Sequence, residues 1–124
     1  MKFARWVFAL AGIYGLLVLT PFYWMEEQIG RDDPPPLTHP EYFYGFIGIA
    51  LAWQVAFLVI AIDPARFRWL MFPAVLEKAA FAIAVPMLFM QGRAGATVLA
   101  FSLVDAALGI LFVISFFQTF RQSK

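Results

Sequence analysis

Long apolar runs broken by short polar segments set the pattern of this chain, and the length of the runs carries the first inference. Four stretches, at about residues 4–24, 41–62, 69–90 and 95–117, are each roughly 20 residues long, the number an α-helix needs to cross a bilayer core of about 30 Å. The pattern predicts an all-α polytopic membrane protein: an antiparallel bundle of four transmembrane helices in one domain over residues 1–124.

The polar breaks predict how the spans join. Span one ends in Thr20-Pro21-Phe22-Tyr23-Trp24, an aromatic belt with no small-x-small cleavage site, and so reads as an uncleaved helix rather than a signal peptide. Residues 25–39 hold Glu26, Glu27, Arg31, Asp32, Asp33 and Pro34-Pro35-Pro36; consecutive prolines favour polyproline II, so a solvated arm is expected there. Thr38-His39-Pro40-Glu41 has the form of a helix start for span two. The turn Asp63-Pro64-Ala65-Arg66-Phe67-Arg68 is short enough to pair spans two and three as a hairpin, with Asp63 capping span three. Gln91-Gly92-Arg93 predicts a tight turn, and a polar tail is expected from Gln118 onward.

Composition narrows the class further. The chain is 63% hydrophobic and 14% charged with a mean hydropathy of +0.79, against about 25% charged in a soluble domain. With no cysteine, intrachain disulfides, thiolate metal sites and a Cys nucleophile are excluded. Net charge is +1, and only its distribution informs: Lys2, Arg5, Arg66, Arg68, Arg121 and Lys124 flank one side of the spans, Arg31 and Arg93 the other. Basic flanks resist translocation, so both termini are expected on the cytoplasmic side.

Ionisable residues inside apolar spans are the informative ones, because charge at membrane depth costs about 2.5–3.5 kcal/mol on insertion scales. They are Glu77, Lys78 and Asp105. Helical rise places Glu77 and Lys78 roughly 10–12 Å inside the membrane, Asp105 roughly 18 Å, and both Gln54 and Tyr14 about 12 Å. Each of the four helices thus offers a polar group to one zone. Two readings follow. In one, the groups lock helices together, with Lys78 on Asp105 or Glu77 and with Gln54 and Tyr14 completing hydrogen bonds. In the other, Glu77 and Asp105 form a carboxylate pair in a cavity, suited to a proton relay, a cationic ligand or acid/base chemistry. Lys78 has a long enough stem to snorkel toward the headgroups. Trp53, mid-span beside Gln54, would line a cavity for a flat apolar ligand or pack on a neighbouring subunit.

Small residues recur every three or four positions at Gly45, Gly48, Ala52 and Ala56 on span two and at Ala80 and Ala84 on span three, a pattern that lets helix backbones approach; ordinary packing within the chain is its first reading. Gly12 and Gly15 on span one belong to the same class. His39 and Glu41 read as helix capping with a solvated His rather than a metal site. No phosphate loop, nucleophile elbow or haem-ligand pair is present, so neither metal nor cofactor is expected.

His39-Pro40-Glu41-Tyr42-Phe43 at the start of span two, the turn from Asp63 to Arg68 and the acidic Asp105 in span four together resemble the small four-helix bacterial membrane proteins grouped as DoxX-like. That resemblance implies the architecture and a bacterial cytoplasmic membrane. A fainter likeness is to the EXPERA domain of sterol isomerases and the sigma-2 receptor, in which buried acids lie in an aromatic cavity. The functional expectation is a non-enzymatic accessory or scaffold subunit, partnered by membrane lipid and by other membrane subunits or further copies of itself, and not by nucleic acid. The alternatives are a binder of a lipophilic molecule such as a quinone, sterol or lipid, and a small proton-coupled transporter.

Overall fold

The apolar runs become helices whose limits follow local chemistry. A computed structural model describes residues 2–122; Lys124, one of the flanking bases, lies outside them. Helix α1 (Lys2–Leu19) tightens into a 3₁₀ segment, Thr20–Trp24, at Pro21, whose missing N–H cannot continue the α pattern. Then come α2 (Glu26–Asp32), α3 (Pro40–Ile62), a 3₁₀ turn at Arg68–Leu70, α4 (Met71–Met90) and α5 (Ala96–Gln122). No strand forms among the described residues. Four helical segments, Lys2–Trp24, Pro40–Ile62, Arg68–Met90 and Ala96–Arg121, are long and apolar enough to cross a membrane.

Several boundaries differ from the expectation. The arm contains the helix α2, because the proline run begins only after it; Glu26 and Glu27 in its first turn and Arg31 in its last complement the helix dipole. The tail is not separate, since α5 runs on through Gln122. Thr119 and Ser115 are buried there and bond back to the helix, Thr119 Oγ1 donating to the Ser115 carbonyl at 2.7 Å and Ser115 Oγ to that of Leu111 at 2.8 Å. Asp63 caps no helix start: its Oδ1 accepts the Arg66 N–H at 3.3 Å within the turn, and α4 begins from Leu70 without a side-chain cap. The tight turn does form after α4. Gly92, at φ +72°, donates to the Phe89 carbonyl and Arg93 donates to that of Leu88, a Schellman ending that requires the left-handed residue.

Packing departs from the predicted pairing of spans two and three. Helix α1 lies along α3 and α4 along α5, and the two pairs join chiefly through α1 against α5; α3 and α4 touch only sparsely. The 3₁₀ turn carries the chain across the end of the bundle instead of folding α4 back onto α3. Phe8, Phe57 and Phe112, from three helices, are fully buried together; Phe8 stacks on Phe112 at 4.2 Å and Phe57 meets Phe112 edge-on at 5.0 Å. Ala4, Ala11, Ile60, Met71 and Ala74 close around them. This core occupies the half of the bundle holding the start of α1 and the α3–α4 turn, termed the terminal end; the opposite end carries the arm.

Candidate functional site

Lys78 shares the inward face of α4 with Met71, Ala74 and Val85, so its side chain is drawn into the protein with them. It is 3% exposed. The expected escape toward the headgroups does not occur. Its Nζ instead lies 3.3 Å from Asp105 Oδ1 on α5, to which it donates, and 3.6 Å from Glu77 Oε2. It also stands 5.2 Å from the centre of the Phe57 ring on α3. One ammonium is therefore held by two mostly buried carboxylates and an aromatic face.

Gly109, one turn beyond Asp105, packs against the stem of Lys78: a Cβ there would lie 3.4 Å from Lys78 Cβ. Gly109 thus adjoins the site, a position not among the residues the sequence pattern singles out. Its signal was the i, i+4 spacing from Asp105, which places both on one face of α5.

Other polar groups reach the same zone but do not complete the network. Tyr14, half-buried on α1, lies within electrostatic range of Asp105 but forms no hydrogen bond among the described residues. Gln54 is 1% exposed, yet its Nε2 donates back to the Ala50 carbonyl of its own helix at 2.8 Å. Its Oε1 is buried without a partner, as is Glu77 Oε2 apart from its ion pair with Lys78. The expected hydrogen bonds from Gln54 and Tyr14 to the charges are thus absent. Gln54 serves the α1–α3 contact: its side chain fills the space above Gly15, and its backbone carbonyl would sit 2.9 Å from a Cβ at Gly12.

Trp53 is half-buried and packs against the core, its ring 6.4 Å from that of Phe57. The small-residue stripe is not used inside the protein either. Gly45, Gly48 and Ala52 are exposed and Ala56 is only half-buried, while Ala80 and Ala84 are exposed on α4. A Cβ at Gly45 would meet nothing within 4 Å, whereas at Gly12 and Gly15 it would collide with α3. Packing within the chain therefore runs through Gly12 and Gly15. His39 gives no side-chain cap to α3; its Nδ1 lies 3.2 Å from exposed Glu41 and its ring stacks on Tyr42 at 4.8 Å. Among the described residues, no three acidic or His side chains gather as a metal-binding group.

Chemically, the triad is an ionic lock across α4 and α5, with one more carboxylate than ammonium when all three groups are ionised. Comparison with known protein families, with curated proteins and with solved structures finds no match to this chain.

Proposed function

We propose that this chain is a non-enzymatic accessory or scaffold subunit of a membrane assembly, joined either to other membrane subunits or to further copies of itself. The carrying observation is the exposed stripe of Gly45, Gly48 and Ala52 on α3, which the described residues leave largely uncovered: a Cβ at Gly45 would meet nothing within 4 Å, and one at Gly48 would meet the Tyr23 hydroxyl at 3.8 Å. In lipid, helices associate by backbone approach at small residues, so such a stripe offers a docking line for another helix. The buried triad supports the same reading, since an ammonium engaged by both neighbouring acids fixes the register of α4 on α5. Both termini lie on the cytoplasmic side in this proposal, in accord with the basic flanks at the terminal end.

Replacing Gly45 or Ala52 by Leu tests the idea, because each position is exposed and leucine is a better helix former than glycine and nearly as good as alanine. The isolated protein should melt at an unchanged or slightly higher temperature. Its assembly size in mild detergent, or its crosslinked partners in native membranes, should fall. Unchanged assembly in both variants would remove the stripe as a docking line and with it the main support for a scaffold.

A second reading keeps one specific observation: Glu77 Oε2 is buried without a hydrogen bond, and the triad lacks a second positive charge. That is the arrangement expected of a site that takes up a cationic group or a proton from a lipophilic ligand.

A further inference from the structure

At the arm end the chain forms a shallow, open cavity whose exposed lining is mostly polar, unlike an ordinary aromatic belt. It measures about 250 Å³ and is lined by Tyr23, Trp24, Glu26, Glu27 and Tyr44. The two tyrosine rings lie nearly parallel, 18° apart with centres 6.0 Å from each other, and Trp24 stands edge-on to Tyr23 at 6.5 Å. Trp24 is 79% exposed, so most of its ring remains free of the protein.

Three electron-rich rings and two carboxylates share this cavity, and none of the residues lining it is basic. Aromatic faces attract cations through their quadrupole and carboxylates attract them through charge, whereas both repel phosphate. Tyr23 and Trp24 end the spanning segment Lys2–Trp24, and Tyr44 lies in the first turns of the next, Pro40–Ile62, at the depth where lipid headgroups lie. We propose that this cavity binds an organic ammonium group, supplied either by the choline or ethanolamine head of a lipid or by a free amine. The site is separate from the Glu77–Lys78–Asp105 triad and does not depend on the scaffold reading.

The test uses the whole protein, labelled with 5-fluorotryptophan and reconstituted in nanodiscs, with tetramethylammonium chloride as the probe. The Trp24 fluorine resonance, identified by its loss in Trp24→Phe, should shift saturably while those of Trp6, Trp53 and Trp69 stay in place. Glu26→Gln with Glu27→Gln should weaken the apparent affinity by roughly tenfold, the loss of about 1.4 kcal/mol of binding. Sodium chloride at equal ionic strength should leave the resonance unmoved. Glutamine matches glutamate in shape, and an unchanged melting temperature will show that the variants are folded. If a lipid head is the natural source, tetramethylammonium binds more weakly in phosphatidylcholine discs than in discs of an uncharged galactolipid, whose head carries no ammonium; if a free amine is, the two agree. Absence of a saturable shift, an equal response to sodium, or full affinity in the doubly neutralised variant would each overturn the proposal.

Discussion

At the scale of single residues, Lys78 is held by two carboxylates and an aromatic ring. Its ammonium approaches Asp105 at 3.3 Å with a hydrogen bond and Glu77 at 3.6 Å without one. Removing the base leaves two mostly buried carboxylates uncompensated, so Lys78→Met should destabilise the protein by about 3–5 kcal/mol. Neutralising a single acid alongside it cannot restore balance. The triple variant Lys78→Met with Glu77→Gln and Asp105→Asn should recover most of the loss, since exchanging all members of a buried ionic group is often close to neutral. In double-mutant cycles read by thermal or denaturant unfolding in detergent, Lys78 should couple more strongly to Asp105 than to Glu77. Equal couplings would contradict the geometry, and a silent Lys78→Met would dismiss the lock altogether. The three charges were legible in the sequence because charge inside an apolar run is costly; their shared depth followed from helical rise. What helical rise could not provide was rotation about each axis. Rotation is what turns Gln54 toward Gly15 instead of toward the charges, and what sets Trp53 against the core of its own chain.

Between elements, the α1–α3 contact depends on Gly12 and Gly15, and the sparse α3–α4 contact shows that a short turn does not make two helices neighbours. Span lengths were legible because the bilayer sets them. Pairing was not, because four spans of similar hydrophobicity can be arranged around one another in several ways, and the choice rests on shape at a few positions such as Gly12, Gly15 and Gly109. The stripe at Gly45, Gly48 and Ala52 has the same spacing as a packing face, and sequence alone cannot say whether the partner helix belongs to this chain. Gly15→Ala should expose the difference. Its new methyl group would occupy the space of the buried Gln54 side chain, costing about 1–3 kcal/mol by overpacking. Gln54→Ala in the same molecule vacates that space and removes the unpartnered Oε1, so the double variant should be more stable than Gly15→Ala alone. If Gln54→Ala gives no relief, α1 and α3 do not meet at this pair.

For the molecule as a whole, the bundle has two chemically distinct ends, and the difference predicts how it sits in its membrane. The start of α1, the α3–α4 turn and the last turn of α5 bring Lys2, Arg5, Arg66, Arg68 and Arg121 to the terminal end, whereas Arg31 and Arg93 stand at the arm end. The arm and the first turn of α3 add Glu26, Glu27, Asp32, Asp33 and Glu41, but acidic residues contribute little to orientation, so the expected orientation follows the bases. Two of those bases are also anchored: the Arg66 guanidinium lies 5.3 Å from the centre of the Phe67 ring and that of Arg68 lies 4.5 Å from the Phe120 ring, which holds positive charge at the level of the terminal interface. A reporter active only outside the cytoplasm should therefore give signal when inserted in the arm between Pro34 and Pro36, and none when inserted at Ala65 in the α3–α4 turn. Adding two lysines to the arm beside Arg31 should weaken that contrast, because it narrows the difference in basic flanks on which the orientation depends. Signal at Ala65 and silence in the arm would reverse the orientation while leaving the helices, the triad and the arm cavity as they are, and would turn the ammonium site toward the cytoplasmic leaflet.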